Sequence, residues 1–357
     1  MPLTEVHRCQ TQRLEILDPE GNVDQCLMPE LSDGQLVGLL EAMLRMRLFD
    51  AKGLNLQRQG RMGTYGSLRG QEAAQAGLGL ALEPEDWLVP SIREQGVLEM
   101  RGVPMHLYFA FCRGDERASR FPPGVRCLPQ SIPVASQLLH AAGLGMALRL
   151  RGEQAAAVGF AGDGATSEGD FHEALNFAGV FRSQTLFYIQ NNGWAISVPV
   201  GQQTAAKTLA QKASAYGFDG LQVDGNDVLA VYVASRDALR RVRSGNGPAL
   251  IEAVTYRMES HTTADDHTRY RTPDEVALWQ TRDPIDRMRT FLTRRGLWEA
   301  EIESKTMRRL AEAVEREVAQ LEAIPPPAPT EIFDSMFEQL PPTLREQRAS
   351  LLREIEK

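Results

Sequence analysis

The chain has 357 residues, 43% of them hydrophobic, enough for one large domain or two ordinary ones with a real core. The formal net charge is −8, with acids spread along the chain rather than gathered in a block, which argues for solubility and against a nucleic-acid surface. The four cysteines show no C-x-x-C spacing and read as free thiols in a reducing compartment, and no run of about 18 apolar residues offers a membrane span.

Residues 1–30 read as an N-terminal extension. It has no apolar signal-peptide segment, and Glu5 argues against a mitochondrial transit peptide. A cytosolic location in a bacterium or archaeon is the expectation. Asp18-Pro19-Glu20-Gly21 has Pro second and Gly fourth, as a type I turn prefers. The main domain is read over residues 31–324. Its first helix is predicted to start near Ser32, with Gln35 placed for a capping box, and to end at Gly60. A glycine-rich loop spans Gly60 to Gly70. Small-residue helices are predicted after it, at 71–77 and at 136–150, where neighbours can approach closely. Trp87-Leu88-Val89-Pro90 reads as a short strand before Ser91-Ile92-Arg93-Glu94.

The centre of the chain carries the sharpest signal. Ala155 to Phe160 is an apolar run that reads as a buried strand, followed by Gly162-Asp163-Gly164. Thr166 to Arg182 has helical spacing at Phe171, Ala174, Leu175 and Ala178. Thr185 to Ile189 reads as the next buried strand, followed by Asn191-Asn192. The 26 residues from Ala165 to Gln190 hold one helix and one strand, making a β-α-β unit with a right-handed crossover. Asp163 and Asn192 then sit just past the carboxyl ends of parallel strands, where open α/β sheets bind ligands. An oxygen-rich pair there suits a hard divalent cation such as Mg2+ shared with a phosphate, and the following helix N-terminus offers free N–H groups to the same phosphate. Further on, a helix is predicted at 204–216, a strand at 221–223, a helix at 228–242 and a strand at 249–254. A polar loop covers 259–272, and helices fill the chain up to Ile324. Pro325 to Pro329 reads as a stiff spacer, and residues 325–357 as that spacer plus a helical tail. The alternation of strands and helices indicates an α/β fold with a doubly wound, mostly parallel sheet.

The Gly-Asp-Gly and Asn-Asn pattern resembles the diphosphate-binding motif of thiamine diphosphate enzymes. With Gly70-Gln71-Glu72-Ala73, Ile92-Arg93-Glu94, Val223-Asp224-Gly225-Asn226-Asp227, and Tyr256-Arg257 before Ser260-His261-Thr262, nearly the whole chain resembles one family. This is the alpha subunit of the two-subunit 2-oxo acid dehydrogenase first component, which includes pyruvate, branched-chain 2-oxo acid and acetoin dehydrogenases. The resemblance implies the diphosphate-binding half of the thiamine diphosphate fold. It also implies roles by position. Asp163 and Asn192 match the side-chain ligands of Mg2+, and the Trp194 carbonyl the third. Gly164 and Ala165 match backbone that meets the diphosphate. Arg93 and Arg257 match arginines that neutralise it, a task suited to a fork of donors. His261 matches a loop histidine near the reacting centre. Ile132 and Val134 match positions that hold the two cofactor rings. Tyr65 is a candidate for the substrate entrance, with a packing role as the plain alternative. Taken singly, Arg93 and Arg257 also read as salt-bridged arginines, and His261 as solvated.

The resemblance implies partners as well. The pyrimidine half of the cofactor site is expected on a separate beta subunit in an α2β2 tetramer. The acyl group is expected to pass to a lipoyl group on a dihydrolipoamide acyltransferase. Pyruvate is the expected 2-oxo acid, with the branched-chain acids as the alternative and acetoin behind them. The tail sequence Phe337-Glu338-Gln339-Leu340-Pro341 leans toward the pyruvate type. The loop before Gly70 lacks the histidine common in pyruvate-preferring members, a loss that some bacterial pyruvate and branched-chain enzymes share. Thr262 and Thr263 stand where regulated mitochondrial relatives carry serine, so kinase control is not expected there. A Rossmann oxidoreductase lacks support, because Gly162-x-Gly164 has no third glycine. A phosphate-loop NTPase lacks a Gly-Lys-Ser/Thr, and a non-catalytic scaffold would have lost the metal ligands or His261.

Overall fold

A computed structural model describes residues 3–334 and 336–356. In chain order its elements are β1 (Gln12–Leu14), α1 (Asp33–Arg58), α2 (Glu72–Ala81), β2 (Trp87–Val89), α3 (Gln95–Met100), α4 (Met105–Cys112) and α5 (Ser136–Arg151). Then come β3 (Ala157–Gly162), α6 (Gly169–Phe181), β4 (Thr185–Asn191), a small hairpin β5 (Trp194–Ala195) and β6 (Val198–Pro199), α7 (Val200–Gln203), β7 (Gly220–Asp224), α8 (Val228–Arg243) and β8 (Ala249–Val254). The remainder is helical: α9 (Pro273–Gln280), α10 (Pro284–Arg294), α11 (Ala300–Ala323), α12 (Glu331–Asp334) and α13 (Pro342–Ile355). None of the helices among the described residues is long and apolar enough to cross a membrane.

Among the described residues, six strands form one parallel sheet in the order β1-β7-β8-β4-β3-β2. Side chains alternate across it. Val158, Phe160, Leu186, Tyr188 and Ile251 point into a core shared with α1, α2, α8 and α10. Ala161, Phe187, Ile189 and Leu250 point into a second core with α5 and α6. Both faces are dry, which is why the central strands read as continuous apolar runs rather than alternating ones. The strand β3 crosses to β4 through α6 on one face, while β7 crosses to β8 through α8 on the other. Winding therefore reverses across the sheet, and the carboxyl ends of β3, β4 and β8 lie at the reversal, where such sheets bind ligands.

Local chemistry explains most boundaries. Ser32 and Gln35 form the expected capping box, with Gln35 N donating to Ser32 Oγ at 3.2 Å and Ser32 N donating to Gln35 Oε1 at 3.0 Å. The small-residue helices do allow close approach: a Cβ on Gly77 would meet the Val228 carbonyl at 2.8 Å, and one on Gly159 would meet the Ala141 Cβ at 2.8 Å. The helix expected at 204–216 is not formed as such. The short α7 precedes it, Thr204 is extended, and only Ala210–Tyr216 coils, as a 3-10 helix. The threonines are the cause. Thr204 Oγ1 accepts from Ala206 N at 3.2 Å and Thr208 Oγ1 from Gln211 N at 3.1 Å, and such local bonds compete with helix. Likewise, the helix expected from Thr166 splits into a 3-10 turn over 163–167 and α6. Residues 12–17 join the domain: β1 pairs with β7, and Ile16 N and Leu17 N donate to the buried Asp227 carboxylate at 2.6 and 2.7 Å. The same carboxylate caps α8.

Candidate functional site

Asp163 follows β3, and Asn192 follows β4; both are buried, at 2% and 6% exposure. The register pairs Gly162 with Gln190, so the two loops emerge side by side. Past Asn192, Gly193 takes a left-handed φ of +88° and turns the chain into the β5–β6 hairpin. This brings three oxygens together. Asn192 Oδ1 stands 3.3 Å from Asp163 Oδ1 and 3.1 Å from the Trp194 carbonyl oxygen. As oriented, none of the three donates a hydrogen bond to another. Protein hydrogen bonding by itself favours a rotated amide with its nitrogen turned inward; a cation favours the oxygen there. The orientation of an amide is inferred from its partners. The outer end of the amide lies 3.3 Å from the Gln71 side-chain amide, which can turn to meet either orientation. Oxygens held at about 2.1 Å around an octahedral cation lie about 3 Å apart, close to the observed spacings. Burial raises the pKa of Asp163 above the ordinary range, against the bond from Gln203 Nε2 at 2.8 Å. A bound divalent cation would reverse that shift. The donor set of one carboxylate, one amide and one carbonyl is hard oxygen, suited to Mg2+. It is not a cluster of acids, cysteines and histidines; none of three or more occurs among the described residues.

Beyond β8, Thr255 N donates to Asn191 O at 2.8 Å and Arg257 N to Asn192 O at 3.2 Å, extending the pairing to the site. Arg257 is fully buried. Its guanidinium donates to the carbonyls of Trp194 at 2.9 Å and Ile196 at 2.7 Å, and to Tyr270 OH at 3.0 Å. Ile196 holds a left-handed φ of +53°, rare for a β-branched residue and the kind of strain found at functional sites. Arg93 is also buried; it donates to the His261 carbonyl at 2.8 Å and to the Ser67 carbonyl. The His261 Nδ1 lies 3.4 Å from both guanidinium groups. Among the described residues neither guanidinium is hydrogen-bonded to a carboxylate; the Glu94 carboxylate accepts only from the backbone N of Arg93, at 3.0 Å. Burial first, and then the charge of Arg93, lowers the Arg257 pKa to about 10. Two desolvated cations against one imidazole are costly alone and suited to a polyanion.

His261 lies in the polar loop between β8 and α9, its backbone N donating to Asp265 Oδ2 at 2.8 Å. Burial, then Arg93 and Arg257, lowers its pKa to about 4. The imidazole is therefore neutral above that value in the ligand-free chain, and is expected to titrate near 4 by NMR of its ring carbons. An anion on the two arginines removes their repulsion and should move the midpoint upward. A ligand-free midpoint near the ordinary 6.5 would contradict this packing of the loop.

The other expected site residues are placed as follows. Gly164 and Ala165 form the 3-10 turn after β3, and a Cβ on Gly164 would meet the Ala195 Cβ at 2.7 Å. Ile132 and Val134 are exposed, at 61% and 57%, on the loop before α5. Ser131 N donates to Pro90 O at 3.4 Å, which runs this loop along the carboxyl end of β2. Tyr65 is fully buried, edge-on to Tyr108, with its hydroxyl donating to Asp50 Oδ1 at 3.0 Å. Sequence reasoning did not find Gln203 against Asp163, or Asp265 and Tyr270 bracing His261 and Arg257. No motif marks them. Gln71 stood within a quoted motif and Gln190 beside one, and only the fold shows Gln71 reaching Asn192 and Gln190 Nε2 donating to the buried Glu94 at 3.3 Å.

Comparison with known proteins bears on this arrangement. The sequence profile of the family described as "Dehydrogenase E1 component" matches residues 40–330. The protein named "Pyruvate dehydrogenase E1 component subunit alpha" from Staphylococcus aureus is 43% identical over 338 residues, covering 94% of this chain and 91% of its own. Its namesake from Bacillus cereus is 42% identical over 340 residues, covering 95% and 92%. That from Staphylococcus epidermidis is 42% identical over 338 residues, covering 94% and 91%.

Proposed function

This chain belongs to the dehydrogenase E1 component family, and from that premise we propose that it is the alpha subunit of a pyruvate dehydrogenase first component. The family implies thiamine diphosphate as cofactor and a 2-oxo acid as substrate. The observation that carries the reading is the meeting of the Asp163 carboxylate, the Asn192 side-chain amide and the Trp194 carbonyl with two buried arginines whose guanidinium groups lack carboxylate partners. In this proposal Mg2+ is held by those oxygens. Arg93 and Arg257, with the backbone at Gly164 and Ala165, neutralise the diphosphate. Ile132 and Val134 lie against the cofactor rings.

When bound, thiamine diphosphate supplies the carbon nucleophile and the electron sink for decarboxylation. The chain supplies charge, dryness and proton control. The charges of Arg93 and Arg257 stay uncompensated, because their guanidinium partners are carbonyls and a phenol rather than acids. His261, between them, is held neutral until an anion arrives. Its pKa then rises toward the working pH, where an imidazole moves protons best. Asp265 fixes the loop through the His261 backbone and not through the ring. The remaining half of the site is assigned to a beta subunit, and the acyl group to a lipoyl-bearing acyltransferase.

The test uses the chain co-expressed with its beta partner, with thiamine diphosphate and Mg2+. Reduction of an artificial electron acceptor is followed with pyruvate, 3-methyl-2-oxobutanoate and 4-methyl-2-oxopentanoate. The expected result is a kcat/KM for pyruvate at least about tenfold above the branched acids, since one or two extra methylenes in a pocket change recognition by roughly 1–3 kcal/mol. A preference for the branched acids would overturn the substrate and keep the family chemistry. Inactivity with all three, in a complex that binds cofactor, would overturn the 2-oxo acid assignment and point to acetoin.

A further inference from the structure

Asp50 sits in the middle of α1 with 1% exposure. A buried carboxylate is costly unless its oxygens are satisfied. Among the described residues no cation hydrogen-bonds to this one. Tyr65 OH donates to Oδ1 at 3.0 Å, Leu68 N donates to Oδ1 at 2.8 Å, and Ser67 Oγ donates to Oδ2 at 2.6 Å. All three donors belong to the glycine-rich loop before α2. Burial still pushes the Asp50 carboxyl up to about 6, so three donors only partly offset the loss of water. An apolar residue would fill that place on α1 without this burden.

The loop that Asp50 grips touches the anion site twice. The Ser67 carbonyl accepts from Arg93 Nη1. Tyr65 and Thr263 exchange two bonds, Tyr65 N to Thr263 Oγ1 at 3.1 Å and Thr263 N to the Tyr65 carbonyl at 2.9 Å. Thr263 lies two residues past His261, whose carbonyl in turn accepts from Arg93. Asp50 thus connects to both functional groups through one intervening segment. The distance matters. A carboxylate directly on Arg93 would cancel the charge that an anion needs, whereas a carbonyl aims the guanidinium and leaves its charge intact. A loop with Gly63, Gly66 and Gly70 would not hold that carbonyl in place unaided.

We propose that Asp50 is a positioning residue: by fixing Tyr65, Ser67 and Leu68, it aims Arg93 and holds the His261 loop over the anion site. The proposal rests on the reading of Arg93 and His261 as cofactor-facing groups.

The test compares wild type, Asp50→Asn and Asp50→Leu, each with the beta subunit. Thiamine diphosphate affinity is read by tryptophan fluorescence at saturating Mg2+. Cleavage of the His261 loop at the exposed Arg269 by trypsin is read without cofactor. Asparagine keeps an oxygen for Tyr65 OH and Leu68 N, and should stay within about threefold of wild type. Leucine keeps the volume and loses every acceptor. It should weaken the cofactor by about 10–100-fold, the usual range for residues that orient a ligand group, and speed loop cleavage by a similar factor. If Asp50→Leu does not fold, Ser67→Ala carries the test, since it cuts one Asp50 bond and keeps the Ser67 carbonyl; it should weaken the cofactor by about threefold or more and speed cleavage. Wild-type affinity and cleavage in the leucine variant, or in Ser67→Ala where leucine does not fold, would overturn the proposal. A wild-type complex that fails to bind thiamine diphosphate would instead overturn the functional reading, and the cofactor-free cleavage rates would still decide whether Asp50 holds the loop.

Discussion

Asp163→Ala is expected to weaken Mg2+-supported thiamine diphosphate binding by about 10²–10³-fold. Asp163 brings the only formal negative charge to the trio of oxygens. Removing one partner of a buried charged pair costs roughly 3–5 kcal/mol, and each 1.4 kcal/mol is a factor of ten. The fold should survive. The turn after β3 is closed by Thr166 Oγ1 donating to the Asp163 carbonyl at 2.9 Å and braced by Lys212 Nζ donating to Thr166 O at 2.7 Å. Neither bond uses the Asp163 carboxylate. In the ligand-free chain that carboxylate is desolvated with a raised pKa, so its loss relieves a cost. The check is a titration of cofactor with and without Mg2+, beside a thermal melt. Retained Mg2+-dependent affinity would refute the ligand assignment, whereas Asp163→Asn, keeping an oxygen without the charge, should fall between.

Arg257→Met is expected to weaken the cofactor by about a hundredfold or more, and to raise the pKa of His261. Hydrogen bonds to charged groups contribute roughly 1.5–3 kcal/mol each, and a guanidinium offers two to one anion. The side chain also holds the Trp194 carbonyl at 2.9 Å and the Ile196 carbonyl at 2.7 Å, so its loss loosens the third oxygen of the cation site. The titration of His261 is the independent readout, because the Arg257 charge is one cause of its depressed pKa. Arg257→Lys keeps charge and loses the fork, and should recover the His261 shift better than the affinity. Wild-type affinity in the methionine variant would remove Arg257 from the site.

The two halves of this site differed in how far they could be read from residues. Asp163 and Asn192 were legible because their spacing is tied to a β-α-β unit, and the apolar runs at 155–160 and 185–189 show that unit directly. The structure shifts the first strand to Ala157–Gly162 and lengthens the second to Asn191 without moving either residue from its strand end. Arg93, Arg257 and His261 were named only through the family resemblance. They lie on three separate segments, and nothing in their local sequence distinguishes them from surface groups. The prediction of one helix at 204–216 failed where threonine side chains took the backbone groups that a helix would use.

Local sequence determined what depends on neighbours a few residues away: the alternating strands and helices, the Ser32 cap, the glycine loops and the placing of Asp163 and Asn192 at strand ends. Those features follow from side-chain periodicity and from hydrogen bonds that close within one turn. Tertiary structure decided what depends on pairs far apart in the chain. It set β1 beside β7 and Gln203 against Asp163, and it placed Asp50 beneath the loop that aims Arg93. It also brought the guanidinium groups of Arg93 and Arg257 together without a hydrogen-bonded carboxylate on either among the described residues. A buried charge or amide takes its meaning from whichever group satisfies it, and that partner is chosen by packing, which no local pattern records.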